Sequence, residues 1–133
     1  MEDSIKINKF IFASSSSVYG NNKKVPFSET DNIDFPISPY AASKKAAEEM
    51  AYVYHYNYGI DITILRYFTV YGPAGRPDMS PFRFIKWVVE GMPIRLFGDG
   101  SHSRAFTYVD ELARGPGTDL KHIRLNDIDL DGQ

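Results

Sequence analysis

Residues 40–58 contain neither proline nor glycine, and they lie between Ser38-Pro39 and Gly59. Serine is a good N-cap, proline suits the first helical position, and glycine is common just past a helix end. The segment therefore predicts a helix of about five turns over residues 39–58. No other feature constrains the fold as strongly, because the chain segments on either side of so long a helix must pack against it.

Apolar runs before and after this helix predict two buried strands, one at residues 10–13 and one at 60–68. Strand, helix and strand in this order indicate an α/β fold with a parallel sheet. The polar, proline-containing residues 21–38 are expected to form a surface loop, and so is the segment 69–79.

The second half of the chain repeats these signals more weakly. Ser80-Pro81 is again an N-cap and proline pattern, and it predicts a helix that ends before Gly91. Residues 93–97 are interpreted as a short strand before a Gly-Asp-Gly turn. Residues 105–115 predict an extended stretch entering another helix, and residues 125–132 are a candidate final strand.

Composition narrows the class of protein. The chain has 133 residues, 43% of them hydrophobic, which suits a single domain with a real core. A net charge of −2 gives no basic field for nucleic acid. There is no apolar run long enough for a membrane span, no signal-peptide pattern and no cysteine, so we expect a cytoplasmic protein without a disulfide or metal-thiolate site.

The candidate chemistry lies at Tyr40 and Lys44, which share one helix face. An ammonium near a phenol stabilises the phenolate, which can then accept a proton from a substrate hydroxyl. Alone, this spacing occurs by chance in many helices, and the serine run 14–17 is more often a flexible turn. Their joint order favours catalysis, because strand ends of a parallel sheet gather ligands, and here they carry the serines and the loop 69–79.

This ordered set of motifs resembles the extended short-chain dehydrogenase/reductase family and, within it, the nucleotide-sugar epimerases. The resemblance covers residues 9–131. The motifs that carry it are "FIFASSSSVYG", "SPYAASKKAAEE", "LRYFTVYGPAGRPDM" and "LFGDGSHSRAFTYVDE". It implies a partial Rossmann-like parallel sheet with flanking helices, comprising the C-terminal half of a cofactor domain and the start of a substrate lobe.

The resemblance implies roles for single residues around an NAD cofactor. Tyr40 matches the family's acid/base, and Lys44 matches the lysine that assists it and bonds the nicotinamide ribose. Ser15 matches the serine that assists proton transfer, with Ser14 and Ser16 as neighbouring alternatives. Ser14 is also expected near the cofactor, and Ser16 near the sugar.

Further residues are implied to bind the cofactor and a UDP-sugar substrate. Tyr67 matches a position against the nicotinamide, and Arg104 matches an arginine that grips the pyrophosphate. Thr69 and its loop resemble UDP-glucuronate 4-epimerases, in which the 4-keto uronate must not lose CO2. Arg76, together with Thr69 and the serines, is therefore a candidate clamp for the substrate carboxylate. The alternative for Arg76 is a solvent-exposed loop arginine.

Three departures from the family pattern limit these expectations. Ala105 stands where the family usually has aspartate, and Ala74 stands where a tryptophan is common. The family's Gly-x-x-Gly-x-x-Gly turn, which holds the cofactor pyrophosphate at a helix N-terminus, is missing, since Gly20 is the only glycine before the Tyr40 helix.

We therefore expect one truncated domain, with a Rossmann-like part at residues 9–72, substrate-lobe segments at 73–115 and a tail at 116–133. Its sheet is expected to have an exposed edge that a homodimer could cover.

The first testable prediction concerns the purified chain by itself. Without a pyrophosphate-binding turn, it is expected to bind NAD weakly and to be inactive. An assay with UDP-glucuronate and NAD, together with an NAD titration, tests this. Turnover near that of a full-length relative, or tight NAD binding, would contradict it.

Two alternatives remain open at the level of sequence. One is a fragment of a UDP-glucose 4-epimerase or of a nucleotide-sugar dehydratase. The other is a non-catalytic remnant that binds sugar nucleotides or oligomerises, in which Tyr40 has no chemical role.

Overall fold

The computed structural model describes residues 7–95, 99, 105–114 and 122–124. Contacts divide the chain into two compact units, Met1–Tyr67 with Asp119–Gln133 and Phe68–Thr118. The predicted single domain with its internal boundary at residue 72 stays a prediction. The elements in chain order are β1 (Lys9–Ser15), a 3₁₀-helix (Ser16–Tyr19), α1 (Pro39–Tyr58), β2 (Asp61–Tyr67), β3 (Thr69–Tyr71), α2 (Ser80–Val89), β4 (Phe106–Tyr108), α3 (Val109–Ala113) and β5 (His122–Arg124).

The first unit is a β-α-β arrangement with parallel strands. β1 pairs with β2 in parallel from Lys9↔Asp61 to Ser15↔Tyr67, and α1 is the connection between them. The α/β fold with parallel strands is therefore confirmed. β5 adds to the other side of β2 in antiparallel orientation, which was not predicted. The predicted final strand at 125–132 lies outside the described residues.

Helix α1 begins and ends where its flanking residues predict. The Ser38 side chain accepts a hydrogen bond from the Ala41 N–H at 3.0 Å, and Pro39 is the first helical residue. At the other end Gly59 takes a left-handed φ of 65°, and its N–H bonds the His55 carbonyl at 2.8 Å. Only glycine adopts this backbone conformation without a steric cost, which explains the sharp stop.

Replacing Ser38 with alanine is expected to lower the free energy of unfolding by about 1 kcal/mol, because the Ala41 N–H loses its partner. Urea unfolding of the purified chain measures this. Ser43→Ala is the matched control, since the Ser43 hydroxyl bonds the Tyr40 carbonyl at an exposed position inside the helix. Equal losses for the two variants would contradict a capping role.

The core of the first unit lies between α1 and β2. Ile62 and Ile64 are buried and form a cluster with Ala51 of the helix. Partly buried apolar side chains complete this cluster: Phe12, Tyr52 and Ile60. Such burial contributes on the order of 2 kcal/mol for each large side chain.

The two parallel strands differ in burial. Residues 62–66 of β2 are all buried, whereas Phe10 and Ile11 of β1 are 45% and 58% exposed. The prediction of a buried strand is thus right for β2 and wrong for the first half of β1. The reason is position in the sheet, because β2 lies between β1 and β5 and no described strand pairs with the outer edge of β1.

The connection from β1 to α1 is an ordered surface loop. Gly20 ends the 3₁₀-helix with a φ of 56°, and a Cβ at this position would overlap the Phe35 carbonyl oxygen. Farther along, the Asp31 carboxylate accepts hydrogen bonds from Lys24 Nζ at 2.6 Å and from the Ser28 N–H at 2.7 Å. The bond from the Lys24 ammonium, then the one from the Ser28 backbone, holds the pKa of Asp31 below its usual range.

The second unit contains the parallel pair β3 and β4 with α2 and α3. The extended stretch entering a helix is confirmed as β4 and α3. The segment 69–79 was predicted as loop throughout, but it begins with β3, since Thr69-Val70-Tyr71 has the β-branched and aromatic residues that suit a strand. Of the strand predicted at residues 93–97, residues 93–95 are described and lie outside any strand.

Helix α2 shows a further difference from its predicted start. Met79 is the N-cap, and it makes no side-chain capping bond, so Ser80 and Pro81 are both inside the first turn. The Ser-Pro pattern located this helix correctly and misplaced its cap by one residue.

In the described part of the chain, no helix combines the length and apolar character that crossing a bilayer requires.

Candidate active site

The carboxyl ends of β1 and β2 bring two of the predicted site residues together. Ser15 and Tyr67 end these strands and are direct neighbours in the parallel register. The Ser15 hydroxyl donates to Ser17 Oγ at 3.1 Å and accepts from the Ser17 N–H at 3.2 Å, so the 3₁₀-helix holds its side chain. Ligands of open parallel sheets bind beyond such strand ends.

The first turns of α1 present Tyr40 and Lys44 close to the end of β1. Lys44 Nζ donates to the Ala13 carbonyl at 2.9 Å and lies 5.9 Å from the centre of the Tyr40 ring. The Tyr40 side chain is 55% exposed, and its phenol has no hydrogen-bond partner among the described residues. A phenol and an ammonium therefore lie together in reach of a ligand.

A buried ion pair connects the helix to both strands one turn farther along α1 than Lys44. Glu48 and Arg66 are 5% and 3% exposed. Arg66 donates from Nη2 to Glu48 Oε2 at 2.7 Å and from Nε to both carboxylate oxygens at 3.1 and 3.3 Å. The Ser14 hydroxyl donates to Glu48 as well.

Sequence reasoning missed Glu48 and Arg66, although both carried a signal. Arg66 stands inside an apolar strand, and a buried charge requires a partner. Glu48 continues the spacing of Tyr40 and Lys44 by one more helical turn, which places all three on one side of α1.

Ser14 and Ser16 differ from Ser15 in their surroundings. The Ser14 hydroxyl is buried and donates a hydrogen bond to the Glu48 carboxylate. Ser16 is half-buried and is the first residue of the 3₁₀-helix. The contacts expected from Ser14 to a cofactor and from Ser16 to a sugar stay predictions.

The predicted substrate residues of the second unit are Thr69 and Arg76. Thr69 begins β3 and pairs with Phe106 of β4. Arg76 is exposed and grips Asp78 with two bonds, Nε–Oδ1 at 3.1 Å and Nη2–Oδ2 at 2.5 Å. This pairing holds the pKa of Asp78 below its usual range. Arg76 is thus solvent-exposed, as in the alternative interpretation of a loop arginine, and its role as a carboxylate clamp stays a prediction.

Arg104, expected at a pyrophosphate, lies outside the described residues. Of the two single-residue departures, Ala74 adopts a left-handed φ of 59°, which is uncommon for a residue other than glycine. Ala105 directly precedes β4.

Comparison with known proteins gives concordant matches. Residues 2–126 match the NAD dependent epimerase/dehydratase family. Over 126 residues the chain is 54% identical to UDP-glucuronate 4-epimerase of Thermodesulfobacterium geofontis. This alignment covers 95% of this chain and 39% of that protein.

Solved structures agree with this relationship. The UDP-glucuronic acid 4-epimerase of Bacillus cereus in complex with NAD matches with a TM-score of 0.77 and 50% identity, over 83% of this chain and 35% of that one. The same enzyme in complex with UDP-glucuronic acid and NAD matches with a TM-score of 0.76 and 40% identity, over 92% and 44%.

The chain thus spans well under half the length of these relatives. The predicted resemblance is confirmed, because the family match includes the Tyr40 helix, both parallel strands and nearly all of the remaining chain. This chain belongs to the NAD dependent epimerase/dehydratase family.

Proposed function

We propose that this chain carries the acid/base centre of an NAD-dependent 4-epimerase that interconverts UDP-glucuronate and UDP-galacturonate. The observation that supports this most is the exposed Tyr40 phenol beside the Lys44 ammonium, at the end of the strand that carries Ser15. Relatives of about 50% identity that are named UDP-glucuronate 4-epimerases support the choice of substrate.

In the proposed reaction Tyr40 takes the proton from the C4 hydroxyl of the sugar and later returns it. Ser15 donates a hydrogen bond to the same oxygen in place of its bond to Ser17, and the Lys44 ammonium lies beside the phenol. Bound NAD supplies the acceptor and donor for the C4 hydride. The sugar becomes a 4-keto sugar, rotates, and is reduced on its opposite face.

The described residues fit the nicotinamide-ribose end of such a cofactor. An ammonium has three N–H donors, and the Ala13 carbonyl uses one on Lys44, which leaves two for ribose hydroxyls. Tyr67 ends β2 next to Ser15, where an aromatic ring can lie against the nicotinamide. The chain's own sequence offers no glycine-rich turn for the pyrophosphate.

A uronate substrate adds one requirement. Oxidation at C4 makes a β-keto acid, so the carboxylate must be held to prevent loss of CO2. We propose Arg76 and Thr69 for this role, in which the substrate carboxylate replaces Asp78 on the arginine. Solvent screens an exposed arginine-aspartate pair, which therefore contributes little to stability, so this exchange costs little.

A segment exchange tests the proposal. Residues 7–124 of this chain replace the matching segment of the Bacillus cereus UDP-glucuronic acid 4-epimerase, which is 50% identical where it aligns with this chain. The exchanged enzyme is expected to convert UDP-glucuronate to UDP-galacturonate, with chromatographic separation of the two sugars as the measurement.

The outcome separates the alternatives. A folded exchanged enzyme that binds NAD but turns over no sugar nucleotide would indicate a non-catalytic remnant. Preference for UDP-glucose, or release of a dehydrated product, would favour the other enzyme classes. A homodimer and a cytoplasmic location are proposed as well, and analytical ultracentrifugation of the purified chain tests the former.

A further inference from the structure

The buried pair of Glu48 and Arg66 has no part in the proton transfer described above. We propose that it is a positioning device, which fixes the carboxyl end of β1, and with it Ser15, relative to the Tyr40–Lys44 turn of α1. The inference rests on the proposed function, because it assigns Glu48 and Arg66 a role in arranging that same site.

Two successive turns of α1 each contact β1. Lys44 and Glu48 are one turn apart, and they bond two consecutive residues of β1. Lys44 Nζ holds the Ala13 carbonyl at 2.9 Å, and the Glu48 carboxylate accepts the Ser14 hydroxyl. The next residue of the strand is Ser15. The helix that carries Tyr40 is therefore hydrogen-bonded to β1 immediately before Ser15, the serine expected to act with Tyr40.

Arg66 adds rigidity to this contact. Arg66 is the register neighbour of Ser14 on β2, so both side chains reach Glu48 from adjacent strands. Its Nε and Nη2 hold the carboxylate through a planar fork, and its Nη1 donates to the Glu29 carbonyl at 3.2 Å. A guanidinium fork fixes the orientation of a carboxylate, which a single-point contact does not.

The ion pair supplies direction that an apolar pair would lack. A buried ion pair loses much of its attraction to desolvation, and a well-packed apolar pair often stabilises a fold equally well. Apolar contacts, however, give no direction to the Ser14 hydroxyl. The centre of the neighbouring Tyr19 ring lies 5.0 Å from Arg66 Cζ. The Tyr19 phenol carries no charge, since burial raises its pKa. The charges of Glu48 and Arg66 thus neutralise one another, and their directional hydrogen bonds fix the position of the carboxyl end of β1.

The test uses the double variant Glu48→Met/Arg66→Met, which removes both charges and keeps apolar volume. In the purified chain, ¹⁵N relaxation is expected to show the Ser15 backbone order parameter falling from about 0.85 to below about 0.6, while Ile64 stays rigid. Glu49→Met is the matched control, since Glu49 is the next residue of α1 and its carboxylate is exposed. It is expected to leave both order parameters unchanged.

Kinetics of the exchanged enzyme supply the second readout. The double variant is expected to lower kcat about 100-fold with KM nearly unchanged, because substrate still binds while the reacting groups are misplaced. An unchanged kcat, or an unchanged Ser15 order parameter in the folded double variant, would overturn the inference. If the exchanged enzyme with the unaltered segment is inactive, the proposed function fails, and the Ser15 measurement alone decides the positioning role.

Discussion

Tyr40→Phe is expected to lower kcat of the exchanged enzyme by about 100- to 10,000-fold, the range associated with loss of a general acid/base. Phenylalanine keeps the ring and removes only the hydroxyl, which is the group proposed to take the C4 proton. The variant is expected to fold with unchanged stability, because Tyr40 is exposed and its phenol has no partner among the described residues. Initial rates with UDP-glucuronate, together with thermal unfolding, measure both effects.

Tyr54→Phe is the matched control for this prediction. Tyr54 lies on the same helix, is exposed to a similar degree, and packs its ring against Tyr58. It is expected to leave kcat within about twofold, since nothing proposed for the reaction involves it. If both variants keep full activity, Tyr40 is not the acid/base and the proposed mechanism is wrong.

Arg66→Met is expected to lower the free energy of unfolding of the chain by about 3–5 kcal/mol, the range for breaking a buried ion pair by removing one partner. The change leaves the buried Glu48 carboxylate with the Ser14 hydroxyl as its one partner among the described residues, and the Glu29 carbonyl loses a donor. A small domain is stable by only about 5–15 kcal/mol, so a loss of this size would leave the variant close to unfolding. Urea titration followed by circular dichroism measures the loss.

Two further variants make this prediction specific. Arg76→Met breaks an exposed pair with Asp78, which solvent screens, and is expected to leave the free energy of unfolding nearly unchanged. The double variant Glu48→Met/Arg66→Met removes both buried charges and is expected to recover most of the stability lost in Arg66→Met. A double variant as unstable as the single one would mean that the lost packing of the arginine, and not the unpaired carboxylate, causes the effect.

Features that depend on neighbouring residues were predictable from sequence. Ser38-Pro39 and Gly59 act within one turn of their own positions, and they defined α1 to the residue. The β-branched residues before Tyr67 likewise located β2. Since a helix between two such strands must cross over the sheet, the parallel order and the common end of Ser15 and Tyr67 followed from these local signals.

Features that depend on distant residues were not predictable in this way. The exposure of Phe10 and Ile11 depends on which strands pair with β1, and an apolar run has the same pattern at an edge as at a centre. The strand β3 also forms by pairing with a distant strand, β4, although the glycines and prolines that follow it favour a loop.

The sequence by itself determined the family, the strand-helix-strand order and the residues that carry the candidate chemistry, because these reside in contiguous motifs. Only the tertiary structure decided that Ser14 of β1, Glu48 of α1 and Arg66 of β2 meet in one buried cluster. Two opposite charges far apart in a sequence have many potential partners. Burial selects among them, since each charge removed from water must find its counter-charge within hydrogen-bonding distance.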